Sequence, residues 1–255
     1  GREEWYKRLL YAVSAPAAVV AQDPNTVNIN KAMWPGYEHH LVYLPPGVDL
    51  ERFRPPAMRG ETAHLQIICP QDFSHEQGLN EILALSRLAV DEGLGLRFEI
   101  LGRTREFSTA LQLAERTRAL SNCIYRWVPS AHLPRVYQEA DAALLPYRAS
   151  IGASLHCLQA MAAGLPIVAG LAGGLSEMVV DGWNGFLVRP GSAAPFLTPL
   201  AELVGDLDLR RRMGENSRLL AEGYPVEAWK RRWKELLTRV LSAPSTEGGD
   251  EIGRA

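Results

Sequence analysis

The 255-residue chain lacks any long hydrophobic run. No stretch approaches the ~18 uncharged apolar residues of a membrane span, so nothing in it should cross a bilayer. It also lacks an excess of one charge: 27 Lys and Arg stand against 29 Asp and Glu, a net −2. A dedicated nucleic-acid binder usually carries a basic surplus, so nucleic acid is not expected as a partner. Cysteine is scarce. Cys69, Cys123 and Cys157 are odd in number, far apart, and without CxxC or His pairing. They read as small buried residues of a reducing compartment, which argues against a disulfide framework or a zinc site. HExxH, P-loop and Ser-His-Asp arrangements are absent, and the N-terminus has no basic-then-apolar secretory pattern. No metal site and no cofactor are therefore expected, and the expected location is cytoplasmic.

What is present is ordinary globular composition, 47% apolar and 22% charged, which excludes disorder across the chain. At ~150 residues per domain the length allows one to two domains. The chain opens on Gly1-Arg2-Glu3-Glu4 without methionine, the start expected of an excerpt or a processed product. Trp5, Leu9, Leu10 and Val13 fall at helical spacing; residues 17–21 read as a strand, 25–34 as a helix and Leu41–Leu44 as a strand stopped by Pro45-Pro46-Gly47. Residues 54–62 have linker composition.

Beyond that linker the rhythm is regular. Strand-like runs at 65–69, 96–101, 123–128, 142–145, 166–169 and 185–188 alternate with amphipathic helices around 78–91, 106–120, 131–139, 154–163 and 173–180. This spacing predicts βαβ units and a doubly wound, Rossmann-like parallel sheet covered on both faces. Two helices follow within 195–222, then one over 225–241 with Val226, Trp229, Trp233, Leu236, Leu237 and Val240 on one face, and a Gly-rich, acidic flexible tail over 243–255.

Ligands of open α/β sheets bind outside the carboxyl ends of the strands. Three loops there carry glycine. Gly102-Arg103-Thr104-Arg105 is either a tight turn with exposed arginines or a phosphate or sugar contact, since Arg offers a forked, permanent donor. The run from Pro146 through Arg148, Gly152 and Ser154 leads into a helix bearing Leu155 and His156, where small residues and helix-start amides favour an anion. An ordinary capped helix start would look the same. Gly173-Gly174-Leu175-Ser176-Glu177 supplies permissive backbone before a helix, with Glu177 as a first-turn acid. His39-His40 reads as the solvated start of a strand, not a metal pair. Arg210-Arg211-Arg212 and Lys230-Arg231-Arg232 read as solvated helix faces with at most a weak attraction to anionic lipid at the inner membrane face.

Taken together, several segments resemble one family. Pro45 to Pro55, Gln159 to Ala169, Gly173 to Glu177, Asp181 to Val188 and Tyr224 to Trp229 match, in order, segments of the GT-B fold glycosyltransferases of group 1, the GT4-like retaining family. The resemblance implies two Rossmann-like domains facing a cleft, with a nucleotide-sugar donor held mainly by the C-terminal one. On that reading 1–53 is the tail end of an N-terminal domain, 54–62 the linker, 63–224 the donor-binding domain, and 225–242 a helix crossing back. The acceptor site would lie upstream of Gly1, in a missing N-terminal domain or a partner subunit. The apolar face of residues 2–20 and the Trp229/Trp233 stripe would then be partly uncovered and favour self-association.

The resemblance also implies which residues meet the donor, and here the chain departs from the family. Ile151 and Gln159 stand at the two glutamate positions, Gln77 at the lysine position, and Gln71 or Asp72 at the arginine position. Backbone groups at 152–156 with Arg103, Arg148, His156 or His75 are left as substitutes. The expected donor-binding set is Arg103, Arg148, Gly152, Ser154, Leu155, His156, Gln159, Gln77 and Gly174, with no catalytic residue assigned. The expected function is sugar transfer from a nucleotide-sugar; the alternative is a degenerate domain that binds or scaffolds.

Overall fold

A computed structural model describes residues 17–33, 38–58, 64–71, 78–102, 107–149 and 154–242. The expected helix over 2–13 and the tail over 243–255 lie outside them. Eight strands are seen among the described residues: β1 Val19–Ala21, β2 Leu41–Tyr43, β3 Leu65–Gln71, β4 Leu96–Gly102, β5 Cys123–Trp127, β6 Ala142–Leu145, β7 Ile167–Gly170 and β8 Gly185–Val188. The helices are α1 Pro24–Met33, α2 Leu79–Asp91, α3 Phe107–Arg118, α4 Leu133–Glu139, α5 Leu155–Ala162, α6 Leu175–Met178, α7 Leu197–Gly205, α8 Leu207–Ala221 and α9 Val226–Ser242.

Strands β3 to β8 form one parallel sheet in the order β5-β4-β3-β6-β7-β8. That is the doubly wound Rossmann order, in which the chain leaves one edge, returns to the centre and continues the other way. Side chains alternate across it. Ile68, Ala143 and Leu145 face the layer holding Tyr137, Leu158 and Met161. Ile67, Ala142 and Leu144 face Ile82, Leu85, Leu200 and Met213. Burial on both faces explains why β6 and β7 are unbroken apolar runs. All three cysteines are buried and unpaired. Burial pushes the Cys123 thiol up to about 11 and the Cys157 thiol up to about 12.

Before this sheet, β1 and β2 pair in parallel around α1 in a βαβ piece. The segment just before the expected linker is pinned: Arg218 Nη1 donates to the carbonyls of Leu50, Phe53 and Ala162 at 3.1, 3.0 and 2.9 Å. α9 starts beside it, with Val48 N donating to Tyr224 O and Val226 N to Val48 O, both at 2.9 Å.

Two expectations are corrected. The helix expected over 173–180 is only α6, because Gly173 turns with φ 49° and Val179 is already extended. Arg210 is not simply a solvated charge: its Nη1 donates to the carbonyls of Leu203 and Val204 and so caps the C-terminal end of α7.

Candidate functional site

In this strand order the reversal falls between β3 and β6, and the crevice for a ligand opens outside their carboxyl ends. Two helices begin there. α2 follows β3, and its N-cap Gly78 has φ 74°. A Cβ at that position would stand 2.1 Å from the Pro146 carbonyl oxygen. Glycine is therefore required both for the left-handed backbone and for the close approach of the two loops. Glu81 in the first turn of α2 is buried, and its Oε1 pairs with Arg148 Nη1 from the β6–α5 loop at 3.1 Å. The ion pair links the element that follows β3 to the loop that follows β6.

α5 follows β6. Ser154 is its N-cap, as expected: the backbone is extended (φ −88°, ψ 112°) and Oγ accepts from Cys157 N at 3.2 Å. The same hydroxyl lies 3.4 Å from the hydroxyl of Tyr147, which is wholly buried. Leu155 is exposed and His156 half-buried at the helix start, while Cys157 and Leu158 turn into the core. One turn on, Gln159 Oε1 accepts from the buried Tyr137 hydroxyl at 3.4 Å. The amide oxygen is thus turned toward the core side of the helix.

The third loop closes the far side. A Cβ at Gly170 would lie 2.1 Å from Tyr147 O, so the end of β7 presses on the β6 loop. Gly174 is the N-cap of α6, and Glu177 Oε1 accepts from Asn25 N in the first turn of α1 at 3.2 Å. Burial raises the Glu177 carboxyl above its ordinary value; the Asn25 amide opposes this and Asp23 adds to it. Gly174, Glu177, Tyr43 and Tyr224 line a cavity of about 350 Å³ between the β1–β2 piece and the sheet.

Arg148, Ser154, Leu155, His156 and Gln159 thus stand together on the β6–α5 loop and α5, with Gln159 turned to Tyr137, whereas Gly174 stands apart at the start of α6, beside the cavity toward the β1–β2 piece. Gln77, Arg103 and Gly152 lie outside the described residues, as do His75 and Ile151. Among the described residues no three His, Cys, Asp or Glu side chains cluster as a metal site. The sequence reading missed Glu81, Tyr137 and Tyr147. Glu81 had a signal: it lies on the stripe that carries the core residues Leu85 and Ala89, where an acid needs a partner. The tyrosines had none, since a buried tyrosine is ordinary core until its hydroxyl's partner is seen.

A family model for glycosyl transferases of group 1 matches residues 67–206, more than half of the chain. The chain belongs to this family. A D-inositol 3-phosphate glycosyltransferase of Nocardia farcinica is 32% identical over 221 residues, 78% of this chain and 47% of the relative. A GDP-mannose-dependent α-(1-6)-phosphatidylinositol monomannoside mannosyltransferase of Mycobacterium tuberculosis is 30% identical over 218 residues, 78% of this chain and 54% of the relative. This group 1 chain thus spans about half the length of these curated relatives. Its fold recurs in solved structures. A glycosyltransferase of Rickettsia africae superposes with TM-score 0.75 at 16% identity, over 94% of this chain and 68% of the other. HepE of Anabaena, in complex with UDP-glucose, superposes with TM-score 0.73 at 16% identity, over 88% and 64%. At such identities the likeness is one of fold. No helix among the described residues is long and apolar enough to cross a membrane.

Proposed function

We propose that this chain supplies the donor-binding half of a retaining glycosyltransferase, taking a nucleotide-sugar and passing its sugar to an acceptor bound elsewhere. One observation supports the reading: in a group 1 family member, α5, capped by Ser154, begins after β6 beside the strand-order reversal, and Arg148 stands in the same β6–α5 loop. A nucleoside diphosphate leaving group gains negative charge as the sugar departs, and preorganised amides and cations stabilise that charge. Helix-start amides at 154–156, Arg148 and His156 are the groups assigned to it here, with Arg103, Gly152 and Gln77 as further contacts. Gly174 borders the sugar side and Gln159 the nucleoside side. Residues 1–53 would be the end of an acceptor-binding domain, 54–62 the linker, 63–224 the donor domain and 225–242 the helix returning to the first domain. A missing domain, a partner subunit or a second copy would complete the cleft.

Titration calorimetry of the 255-residue chain with UDP, GDP, ADP and their sugars tests this. Saturable binding of one nucleotide, weakened about ten-fold by Arg148→Ala, is expected, the loss of one charge-assisted hydrogen bond. No binding across the panel would favour the second reading, a degenerate binding or scaffold module. The uncharged Ile151, Gln159 and Gln77 at positions the family charges speak for that reading.

A further inference from the structure

The Arg148–Glu81 pair has more in it than a surface ion bridge. Glu81 is a carboxylate with only 9% of its side chain exposed, placed on the core stripe of α2, whereas the Arg148 side chain is 39% exposed. Burying a carboxylate is costly unless a cation meets it, so the pair fixes where the guanidinium sits. The two backbones already meet beside it, with Gly78 set against the Pro146 carbonyl too closely for any Cβ. What the pair adds is a cation on a fixed mount, between a helix that follows β3 and a loop that follows β6. Arg presents five N–H donors in a planar fork, so a carboxylate bound at Nη1 leaves the other edge of the fork to point at a second anion.

We propose that Glu81 is a positioning residue: it holds Arg148 at the mouth of the crevice so that the guanidinium serves as the fixed cation for the diphosphate of the ligand. This rests on the donor-site reading above and adds to it which cation binds the diphosphate and what aims it. Glu81 itself touches no ligand. Its effect must therefore pass through Arg148.

A double-mutant cycle reads that dependence. The affinities of inorganic pyrophosphate, UDP, GDP and ADP are measured by calorimetry for wild type, R148A, E81L, E81Q and the E81L/R148A double variant, with thermal melts as the check on folding. R148A is expected to weaken the tightest-binding diphosphate about ten-fold or more. E81L should weaken it comparably, and E81Q, which keeps an acceptor for Nη1, by no more than about three-fold. In the R148A background E81L should change nothing. Wild-type affinity in R148A, or a full E81L effect that persists without Arg148, overturns the proposal while leaving the donor site standing. Absence of binding by wild type overturns the donor-site reading, and this one with it. Should E81L fail to fold, E81D replaces it. Its shorter side chain keeps the charge but draws the guanidinium back, so weakened binding is expected and wild-type affinity overturns the proposal.

Discussion

On one side of the strand-order reversal, β6 and β7 are buried at every position and α5 between them contributes Cys157, Leu158, Ala160, Met161 and Ala162 to the core. On the other side, β5 forms an edge where Ile124 is 54% and Trp127 59% exposed, and β4 carries a buried Glu99 paired with Arg126. The resemblance to the family is densest in the first of these halves, over 159–188, which includes the enclosed runs Ala160–Ala163 and Leu165–Gly170. Asn184 illustrates why. It is fully buried, its Oδ1 accepts from Val180 N at 2.7 Å, its Nδ2 donates to Met178 O at 3.1 Å, and its carbonyl accepts from Ser217. Such a residue is needed by any chain with this packing, whether or not it transfers sugar. The retained spelling therefore testifies to the scaffold. On the proposed reading the chemistry would be carried by the loops at the carboxyl ends of the strands, where Ile151, Gln159 and Gln77 are uncharged.

The largest expected difference between the halves comes from glycines. At Gly185 in β8 a Cβ would sit 2.0 Å from the carbonyl oxygen of Ile167, a backbone atom fixed in the sheet. Gly185→Ala should cost more than about 4 kcal/mol or prevent folding, in the class of changes that break a close-packed backbone contact. Gly93, in the turn between α2 and β4, has φ 67° but nothing within 4 Å of where its Cβ would be. Gly93→Ala should cost only the strain of a left-handed residue, about 1–2 kcal/mol. Urea unfolding of the two variants measures both, and equal losses would erase the contrast.

A smaller contrast lies in the apolar side chains. Leu144→Ala removes a side chain at 0% exposure from the centre of the sheet and should cost about 2–5 kcal/mol. Ile124→Ala, on the edge strand, should stay within about 0.5 kcal/mol. A loss at Ile124 as large as that at Leu144 would mean that something covers the edge in solution, and the two halves would then be equally enclosed. Comparing unfolding midpoints at several protein concentrations would distinguish a second copy from the chain's own residues, since only the former makes stability depend on concentration.

How much of this could be read from the residues follows from the same division. β6 and β7 were legible because burial on both faces leaves unbroken apolar runs, the other four strands of the main sheet because apolar-rich segments recur at βαβ spacing, and Ser154 was legible as a cap from its place before a helix. The pairing of Arg148 with Glu81 was not. It depends on β3 and β6 being neighbours, and nothing in the intervening β4 and β5 announces that the chain has returned to the centre of the sheet. Arg210 looked solvated because a run of three arginines usually is; its contacts with Leu203 and Val204 arise from the sharp turn at Asp206, which folds α8 back on α7. The orientation of Gln159 was hidden for another reason. Which way an amide turns is decided by a hydroxyl from another helix, here Tyr137, and periodicity carries no trace of it.

The least costly test concerns the polar pair of the open half. Burial raises the Glu99 carboxyl above its ordinary value; the Arg126 guanidinium opposes that and Glu139 adds to it. The sign of the effect follows from proton counts. A raised value means that the folded chain holds the Glu99 proton more tightly than the unfolded chain does. Over the interval from the ordinary carboxylate value up to the raised one, the folded state binds more protons, and stability falls as pH rises. This contribution is fully present below the ordinary value and gone above the raised one. Glu99→Gln removes it, so the difference in unfolding free energy between wild type and variant should shift in the variant's favour as pH rises through that interval and stay constant above it. Arg126, with 42% of its side chain exposed, can turn to water when its partner is neutral, which keeps the cost of the substitution small. A difference that instead moves in the wild type's favour as pH rises would show that the guanidinium, not burial, governs the carboxylate. The open half would then be held by its ion pair as firmly as the closed half is held by its apolar core.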